Sequence, residues 1–237
     1  MAGAGVAAVL QRLDRGSATQ VVCASTLGER LDVPGSRVPY PVAEPLVPLL
    51  PGGGLRQGSV VAVRGSTALL LALLAAATAR GAWAAVVGVS DLGLLAAAEA
   101  GVALQRLALV PRPGPDPAPT VAALLDGVGL VALAGVDRVP SGARRSLAAR
   151  ARQRGAVLLP LGRWPGADVE LHCRTEAWCG AEAGHGRLRS REVVVQTTGR
   201  GAAARPRAAR LLLPGPDGPV TELPPAATPP QMIEAVS

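Results

Sequence analysis

Leu50-Pro51-Gly52-Gly53-Gly54-Leu55 is the stretch of sequence that decides the fold. A turn at Gly58 follows it, then the apolar run Ser59–Arg64, and Gly65 precedes a long helical segment over Thr67–Arg80. A short apolar run bounded by glycine turns is typical of a strand that is buried on both faces. The stretch therefore predicts a buried strand that passes directly into a helix, which is the first unit of an α/β domain.

The residues that follow repeat this alternation. Strands are predicted over Trp83–Val89, Leu107–Val110, Gly129–Ala134 and Ala156–Leu161, and helices over Leu92–Ala100, Thr120–Asp126 and Ser141–Arg154. From residue 167 onward, polar and apolar residues alternate at every second position, which predicts antiparallel strands with one face in water. The predicted fold class is α/β, with a mostly parallel central sheet flanked by helices and antiparallel strands on its C-terminal side.

Composition divides the chain into three parts. Residues 1–48 open with apolar residues at helical spacing and continue into proline-rich sequence, so we predict a helix and a linker there. Residues 49–213 form the core domain. Residues 214–237 contain seven prolines and predict a mostly disordered tail.

The junction of the first strand and helix is where a nucleotide-binding domain carries its phosphate loop. That loop has the pattern G-x-x-x-x-G-K-[ST], in which backbone N–H groups and a lysine hold the phosphates. Here Arg64-Gly65-Ser66-Thr67 passes straight into the helix, and the chain contains no lysine. Ser66 and Thr67 are therefore interpreted as helix caps, with a weak anion site at the helix start as the alternative. We predict no bound cofactor.

The order of these elements resembles the RecA recombinase superfamily between residue 49 and residue 213. The resemblance rests on the glycine turn before the first strand, the strand–helix units, and the strands predicted after residue 167. The sequence departs from that family where the phosphate loop and its lysine are missing. It departs again where the connection after Ala156–Leu161 shortens to Gly162-Arg163-Trp164-Pro165-Gly166.

Among RecA-like proteins, the chain is similar to the ImuA and ImuA-prime group, which are accessory proteins of the bacterial mutasome. The resemblance implies a non-catalytic adaptor of error-prone translesion DNA synthesis in the DNA-damage response. The partners that it implies are an ImuB-type homologue of Y-family polymerases and RecA. It also implies a partner contact in the C-terminal region, where Met232 and Ile233 form a small apolar cluster.

Two other functions stay open. A RecA-like ATPase or nucleotide-dependent regulator would use Arg64 in place of the lysine. A cell-division inhibitor of the SulA kind would also lack the phosphate loop. The resemblance places the catalytic acids of RecA near Val89 and Ala134, whereas Asp91, Glu99 and Asp137 are shifted and are interpreted as caps or surface residues. We therefore predict no catalytic residues.

The basic residues are concentrated in one region. The net charge of the chain is +7, and residues 141–210 hold 14 arginines against 5 acidic residues. On the predicted helix Ser141–Arg154, Arg145 and Arg152 share one face and, with Arg144, form a basic ridge. This region is predicted to contact DNA or an acidic partner, with a solvated basic face as the alternative. The scarcity of aromatic residues argues against a dedicated platform for single strands.

Arg163 and Trp164 in the shortened loop are a second candidate contact, because an exposed tryptophan beside an arginine often anchors interfaces. A tryptophan that closes the edge of the core is the alternative. His172, Cys173, Cys179 and His185 could suggest zinc, but neighbouring strand residues point to opposite faces, so we interpret Cys173 as a core residue and predict no metal. Three cysteines without framework spacing, and no apolar run long enough to cross a membrane, favour the cytoplasm.

Overall fold

The protein was analysed as a computed structural model, which describes residues 38–182 and 185–223. Its helices, numbered within these residues, are α1 (Thr67–Ala79), α2 (Leu94–Glu99), α3 (Ala118–Leu125) and α4 (Ser141–Arg154). Its strands are β1 (Tyr40–Pro41), β2 (Gly54–Leu55), β3 (Val61–Arg64), β4 (Ala84–Val87), β5 (Leu107–Val110), β6 (Leu130–Leu133), β7 (Val157–Pro160), β8 (Val169–Glu182), β9 (His185–Gly199), β10 (Arg207–Leu212) and β11 (Thr221–Glu222).

Four parallel strands form one sheet in the order β5-β4-β6-β7. Parallel bridges from Val60 to Leu158 and from Val63 to Leu161 join β7 to β3. β8 then runs parallel to β3, and the antiparallel strands β9, β10 and β11 follow outward. The predicted α/β class is confirmed, with a parallel sheet, helices, and antiparallel strands on the C-terminal side. The strands β1 and β2 form a separate short pair.

The parallel strands are buried on both faces, so the core has two layers. On β3, Val61 and Val63 face the layer that contains α1, while Val60 and Ala62 face the layer of α3 and α4. α1 is apolar all round and nearly every residue of it is buried. The two layers hold the parallel strands rigidly, so that their carboxyl ends form one defined edge.

The core begins earlier than residue 49, where we predicted its start. Glu44–Leu49 form a 3-10 helix in which Leu46 and Leu49 are buried. A 3-10 helix has about three residues per turn, so this spacing puts both leucines on one face, towards the core. The prolines that suggested a linker are accommodated at the first turn and at Pro48. The helix predicted around Val6 and Leu10 lies outside the described residues.

The fold also continues beyond residue 213, where a tail was predicted. β11 pairs with the end of β10 through Leu211 and Leu212, and Val220 is buried. Residues 214–223 of this proline-rich segment therefore pack against the domain. The rest of the predicted tail, with Met232 and Ile233, lies outside the described residues. No helix within the described ranges is long and apolar enough to cross a membrane.

Candidate functional site

A cleft opens at the edge of the sheet where the parallel strands end. Four of these strands are followed, within one or two residues, by a glycine with positive φ: Gly65 after β3, Gly88 after β4, Gly135 after β6 and Gly162 after β7. Such backbone conformations favour glycine because it has no Cβ. The cleft has a volume of about 660 Å³, and much of its lining is backbone and small side chains.

The connection between β3 and α1 is only two residues long, Gly65 and Ser66. Gly65 has φ +84°, and a Cβ built on it would lie 2.2 Å from the carbonyl oxygen of Cys173 on β8. The backbone at Gly65 is therefore packed directly against the neighbouring strand. A phosphate loop needs a longer segment whose N–H groups converge on the anion, and this connection leaves no length for one.

Arg64, the residue before this connection, forms an ion pair with Glu170 on β8. Its Nη1 donates to Oε1 of Glu170 at 2.7 Å. In the parallel pairing of β3 with β8, Arg64 lies opposite His172, and Glu170 is two residues before His172 on the same face. Arg64 is thus already bound by a carboxylate of the same chain.

Ser66 caps α1, as the sequence predicted. Its Oγ accepts a hydrogen bond from the backbone N–H of Leu69 at 3.2 Å. The same oxygen accepts a second one from Nη2 of Arg191 at 2.6 Å. Thr67 is the first residue of α1 and is exposed. The hydroxyl of Ser66 is therefore engaged by two donors of the protein itself.

Cys173 lies beside this cap and faces the core together with Val169 and Leu171, as predicted. Burial raises the pKa of its thiol, and the nearby Arg191 guanidinium and the Ser66 hydroxyl oppose that rise without overcoming it. A protonated, buried thiol behaves as a small hydrophobic residue.

His172 is exposed on the opposite side of β8. Among the residues that the structure describes, no three potential ligands are grouped as a metal would require. The side chain of His185 lies outside the description.

Asp91 and Asp137 both line the cleft, although neither occupies a strand end. Both are exposed, as is Arg163, which also lines the cleft. Glu99 lies at the end of α2, where its backbone contacts the turn at Gly218. The cleft thus combines two carboxylates with two arginines, Arg64 and Arg163, and its chemistry suits polar contacts rather than a dedicated phosphate cradle.

The structure corrects the predicted contact at Trp164. The indole is only 2% exposed and packs in the layer of α3 and α4. The Arg144 guanidinium lies 5.3 Å from its ring centroid. Arg144 also donates from Nε and Nη2 to the carbonyl oxygens of Val139 and Val136, at 2.8 and 2.7 Å. Both residues therefore close the edge of the core, which was the alternative, and neither is available as a surface anchor.

The rest of the basic ridge on α4 is smaller than predicted. Arg150 and Arg154 both bind Asp126, with Nε–Oδ1 distances of 2.8 and 3.0 Å. The hydrogen bond from Arg150 is the main cause that lowers the pKa of Asp126. Arg145 and Arg152 are exposed, and within the described residues neither side chain forms a hydrogen bond or ion pair. These two arginines are what remains of the ridge.

The antiparallel strands predicted from residue 167 onward are observed as β8 and β9, but the sequence did not show that β8 continues past Arg174. β8 is paired with β3 only as far as His172, and β9 is paired with β10 only from Glu192 onward. Residues 174–182 and 185–191, which we term the arm, therefore extend past their neighbours in the sheet as a two-stranded ribbon. Trp178 and Arg191 are paired across the arm, and the guanidinium lies 5.4 Å from the ring centroid. The alternation after residue 187 predicted the second strand of this hairpin.

The sequence is similar to known proteins of undescribed function. The profile of the MT3502 N-terminal domain matches residues 48–166, which is half of the chain. The uncharacterized protein Rv3395c of Mycobacterium tuberculosis is 45% identical over 138 residues, covering 56% of this chain and 66% of that protein. The chain thus matches just under two thirds of the relative's length. The strands that form the cleft lie within the matched domain, and the arm lies beyond it.

Proposed function

The chain belongs to the MT3502 N-terminal domain family, and from the order of its elements and the geometry of the cleft we propose that it is a non-catalytic adaptor of error-prone translesion DNA synthesis. In this proposal the protein keeps a RecA-like shell, binds an ImuB-type homologue of Y-family polymerases and also RecA, and works in the cytoplasm at damaged DNA. The succession of parallel strand–helix units followed by antiparallel strands supports the RecA-like part of the proposal.

The observation that carries the proposal is the two-residue connection from β3 to α1. Gly65 is held against the backbone of Cys173, so the segment cannot lengthen into a loop without moving β8. Arg64 and Ser66 are both bound within the chain, by Glu170 and by Arg191. An exposed ion pair of this kind contributes only ~0–1 kcal/mol, so it is the missing length, more than the ion pair, that argues against a nucleotide.

An adaptor also needs a surface for its partner. Leu95 on α2 is 73% exposed, and Leu94 and Leu104 beside it are 39% and 36% exposed. Single exposed leucines are normal, whereas a group of them on one surface marks an interaction site. This apolar patch is the surface that we assign to the polymerase homologue.

A second candidate function is supported by the cleft itself. Its volume of about 660 Å³ and its glycine-rich floor are suited to a small polar ligand. Under the nucleotide-dependent alternative, Arg64 would leave Glu170 and bind a phosphate. The adaptor function and the nucleotide-dependent function make different predictions for the Arg64→Ala and Glu170→Gln variants.

Titration calorimetry with ATP and Mg²⁺, sensitive to affinities from ~µM to ~mM, separates them. The adaptor predicts no saturable heat for the wild type, for Arg64→Ala or for Glu170→Gln. The nucleotide-dependent alternative predicts binding that Arg64→Ala abolishes and that Glu170→Gln strengthens, because the latter releases the arginine. Saturable heat with that pattern overturns the claim of inactivity.

Co-elution of the full chain with an ImuB-type polymerase homologue on size-exclusion chromatography tests the adaptor role. We expect a complex that survives Arg64→Ala and is lost in Leu95→Arg, with Arg112→Ala as the control for an unrelated surface change. Absence of any complex with the wild type contradicts the adaptor. If the wild type instead inhibits polymerisation of FtsZ, the SulA-like alternative replaces it.

A further inference from the structure

The arm presents the most exposed aromatic ring among the described residues. Trp178 is 55% exposed, whereas Trp164 is buried and Trp83 is half-buried under the Arg106 guanidinium. An indole that is left in water on a projecting hairpin contributes little to the core. Its position therefore calls for a role at the surface.

Two arginines lie near this ring along β9. Residues paired across an antiparallel ladder share a face, which places Arg191 beside Trp178. Arg189 is two positions from Arg191 along β9, next to the register shift that follows Cys179, and it is exposed. Arg191 lies over the ring and is fixed in place by its hydrogen bond to Ser66.

The acidic residues near the ring are already paired. Glu176 accepts from Arg174 at 2.6 Å, and Glu192 binds Arg210 at 3.4 Å. Arg189 forms no side-chain hydrogen bond or ion pair with the described part of the chain. The face around Trp178 is thus apolar at its centre and positively charged at its margin.

We propose that the arm binds single-stranded nucleic acid by stacking one base on Trp178 while Arg189 contacts an adjacent phosphate. Each nucleotide combines a flat base, which can stack on an aromatic ring, with a negatively charged phosphate. This combination matches a ring flanked by arginines. A base within a duplex presents no free face for stacking, so the arm prefers single strands. One ring provides one stacking position, consistent with the scarcity of aromatic residues elsewhere. The proposal does not rest on the adaptor function.

The test uses the full chain and a fluorescein-labelled single-stranded oligothymidylate, with binding followed by fluorescence anisotropy. Quenching of tryptophan emission reports the stacking itself. We expect Trp178→Ala to weaken binding by about tenfold and to abolish the quenching. Trp178→Phe is expected to restore most of the affinity, because a phenyl ring still stacks.

Arg189→Ala is expected to weaken binding and to lower the slope of log affinity against log salt concentration by about 0.7, the value for one phosphate contact on a single strand. Arg112→Ala removes an exposed charge outside the basic region of residues 141–210 and is the matched control, with no change expected. Trp178 and Arg189 are exposed, and thermal unfolding of each variant checks that the fold is retained.

Three results overturn the proposal. The first is absence of binding to the oligothymidylate. The second is equal affinity for a duplex of the same length, or equal losses in Arg112→Ala and Arg189→Ala, which indicates unspecific attraction of charge. The third is loss of the polymerase homologue, rather than of the oligothymidylate, in Trp178→Ala, which identifies the arm as a protein-binding surface.

Discussion

Arg191 donates a hydrogen bond from Nη2 to Oγ of Ser66 at 2.6 Å, across 125 positions of sequence. The bond joins the base of the arm to the first turn of α1, where a nucleotide-binding domain would hold a phosphate. The guanidinium also donates from Nε to the carbonyl oxygen of Leu213 at 3.3 Å. One arginine thus links α1, β9 and the end of β10.

We expect Ser66→Ala to lower the free energy of unfolding by about 1–2 kcal/mol. The variant loses the cap of α1 and leaves the Arg191 guanidinium without its acceptor. Urea unfolding followed by circular dichroism measures the change. Thr67→Ala is the control, since Thr67 is exposed and its change is expected to stay below about 0.5 kcal/mol. Equal effects in the two variants would show that the cap contributes nothing.

Gly65→Ala is expected to be much more destabilising than Gly52→Ala. Both glycines have similar positive φ, +84° and +79°, so both variants incur the ~1–2 kcal/mol of a left-handed residue. Only at Gly65 does the added Cβ meet another atom, the Cys173 carbonyl oxygen, whereas nothing lies within 4 Å at Gly52. Overpacking adds about 1–3 kcal/mol.

The difference between these two variants, measured by urea unfolding, isolates the packing of the β3–α1 connection against β8. If Gly65→Ala and Gly52→Ala unfold at the same urea concentration, the connection is free to move. There would then be room for a phosphate loop at this connection, contrary to our interpretation.

The sequence located the regular elements well where local signals agree. α4 begins after Pro140 and ends before Gly155, which has φ +69°, so its bounds were predicted without error. The edge strand β5 was likewise predicted as observed. In both, the signal lies within or next to the element itself.

The errors came from contacts that local pattern does not contain. Burial of Trp164 depends on its packing beside Arg144, and the partner of Ser66 is far away in sequence. The continuation of β8 into the arm was missed because register shifts after Thr175 and Cys179 interrupt the alternation of residues that identifies a strand. The cap at Ser66 could be predicted from the sequence, whereas the group that binds it could not.

Asp126 is expected to stabilise the fold in a pH-dependent way. Hydrogen bonding to Arg150 lowers its pKa in the folded state, so its contribution is complete above the unfolded pKa of about 3.9 and is lost as the pH falls through the folded value. The groups are partly exposed, so Asp126→Asn is expected to cost only about 0.2–1 kcal/mol at pH 7.

Urea unfolding of the wild type and Asp126→Asn between pH 7 and pH 2 tests this expectation. The two curves should converge at low pH, and the difference at pH 7 should shrink in high salt. Asp217→Asn is the control, because Asp217 is exposed and forms no ion pair with described residues. A difference that persists at pH 2 would mean that packing, rather than charge, explains the effect.

Cys173 is expected to be protected from thiol reagents in the folded protein. Its burial raises the thiol pKa, and the thiolate is the reactive form. In a Cys23→Ser, Cys179→Ser background, labelling by a disulfide reagent at pH 8 should occur only as fast as the protein opens, and urea should release it. Cys179, which is half-buried on the opposite face of β8, should label faster in the matching Cys23→Ser, Cys173→Ala background.

The raised pKa of the Cys173 thiol also makes the free energy of unfolding fall at high pH. A thiol whose pKa is raised on folding contributes fully below the unfolded pKa, which is about 8.5. Above it the unfolded thiol ionises first, so the contribution is lost as the pH rises through the folded value. The advantage of the wild type over Cys173→Ala in urea unfolding should therefore narrow from pH 8 to pH 10. A difference between the wild type and Cys173→Ala that stays constant with pH, or rapid labelling of Cys173 in the folded protein, would contradict this expectation. Cys173 would then be a reactive thiolate beside Ser66 and Arg191.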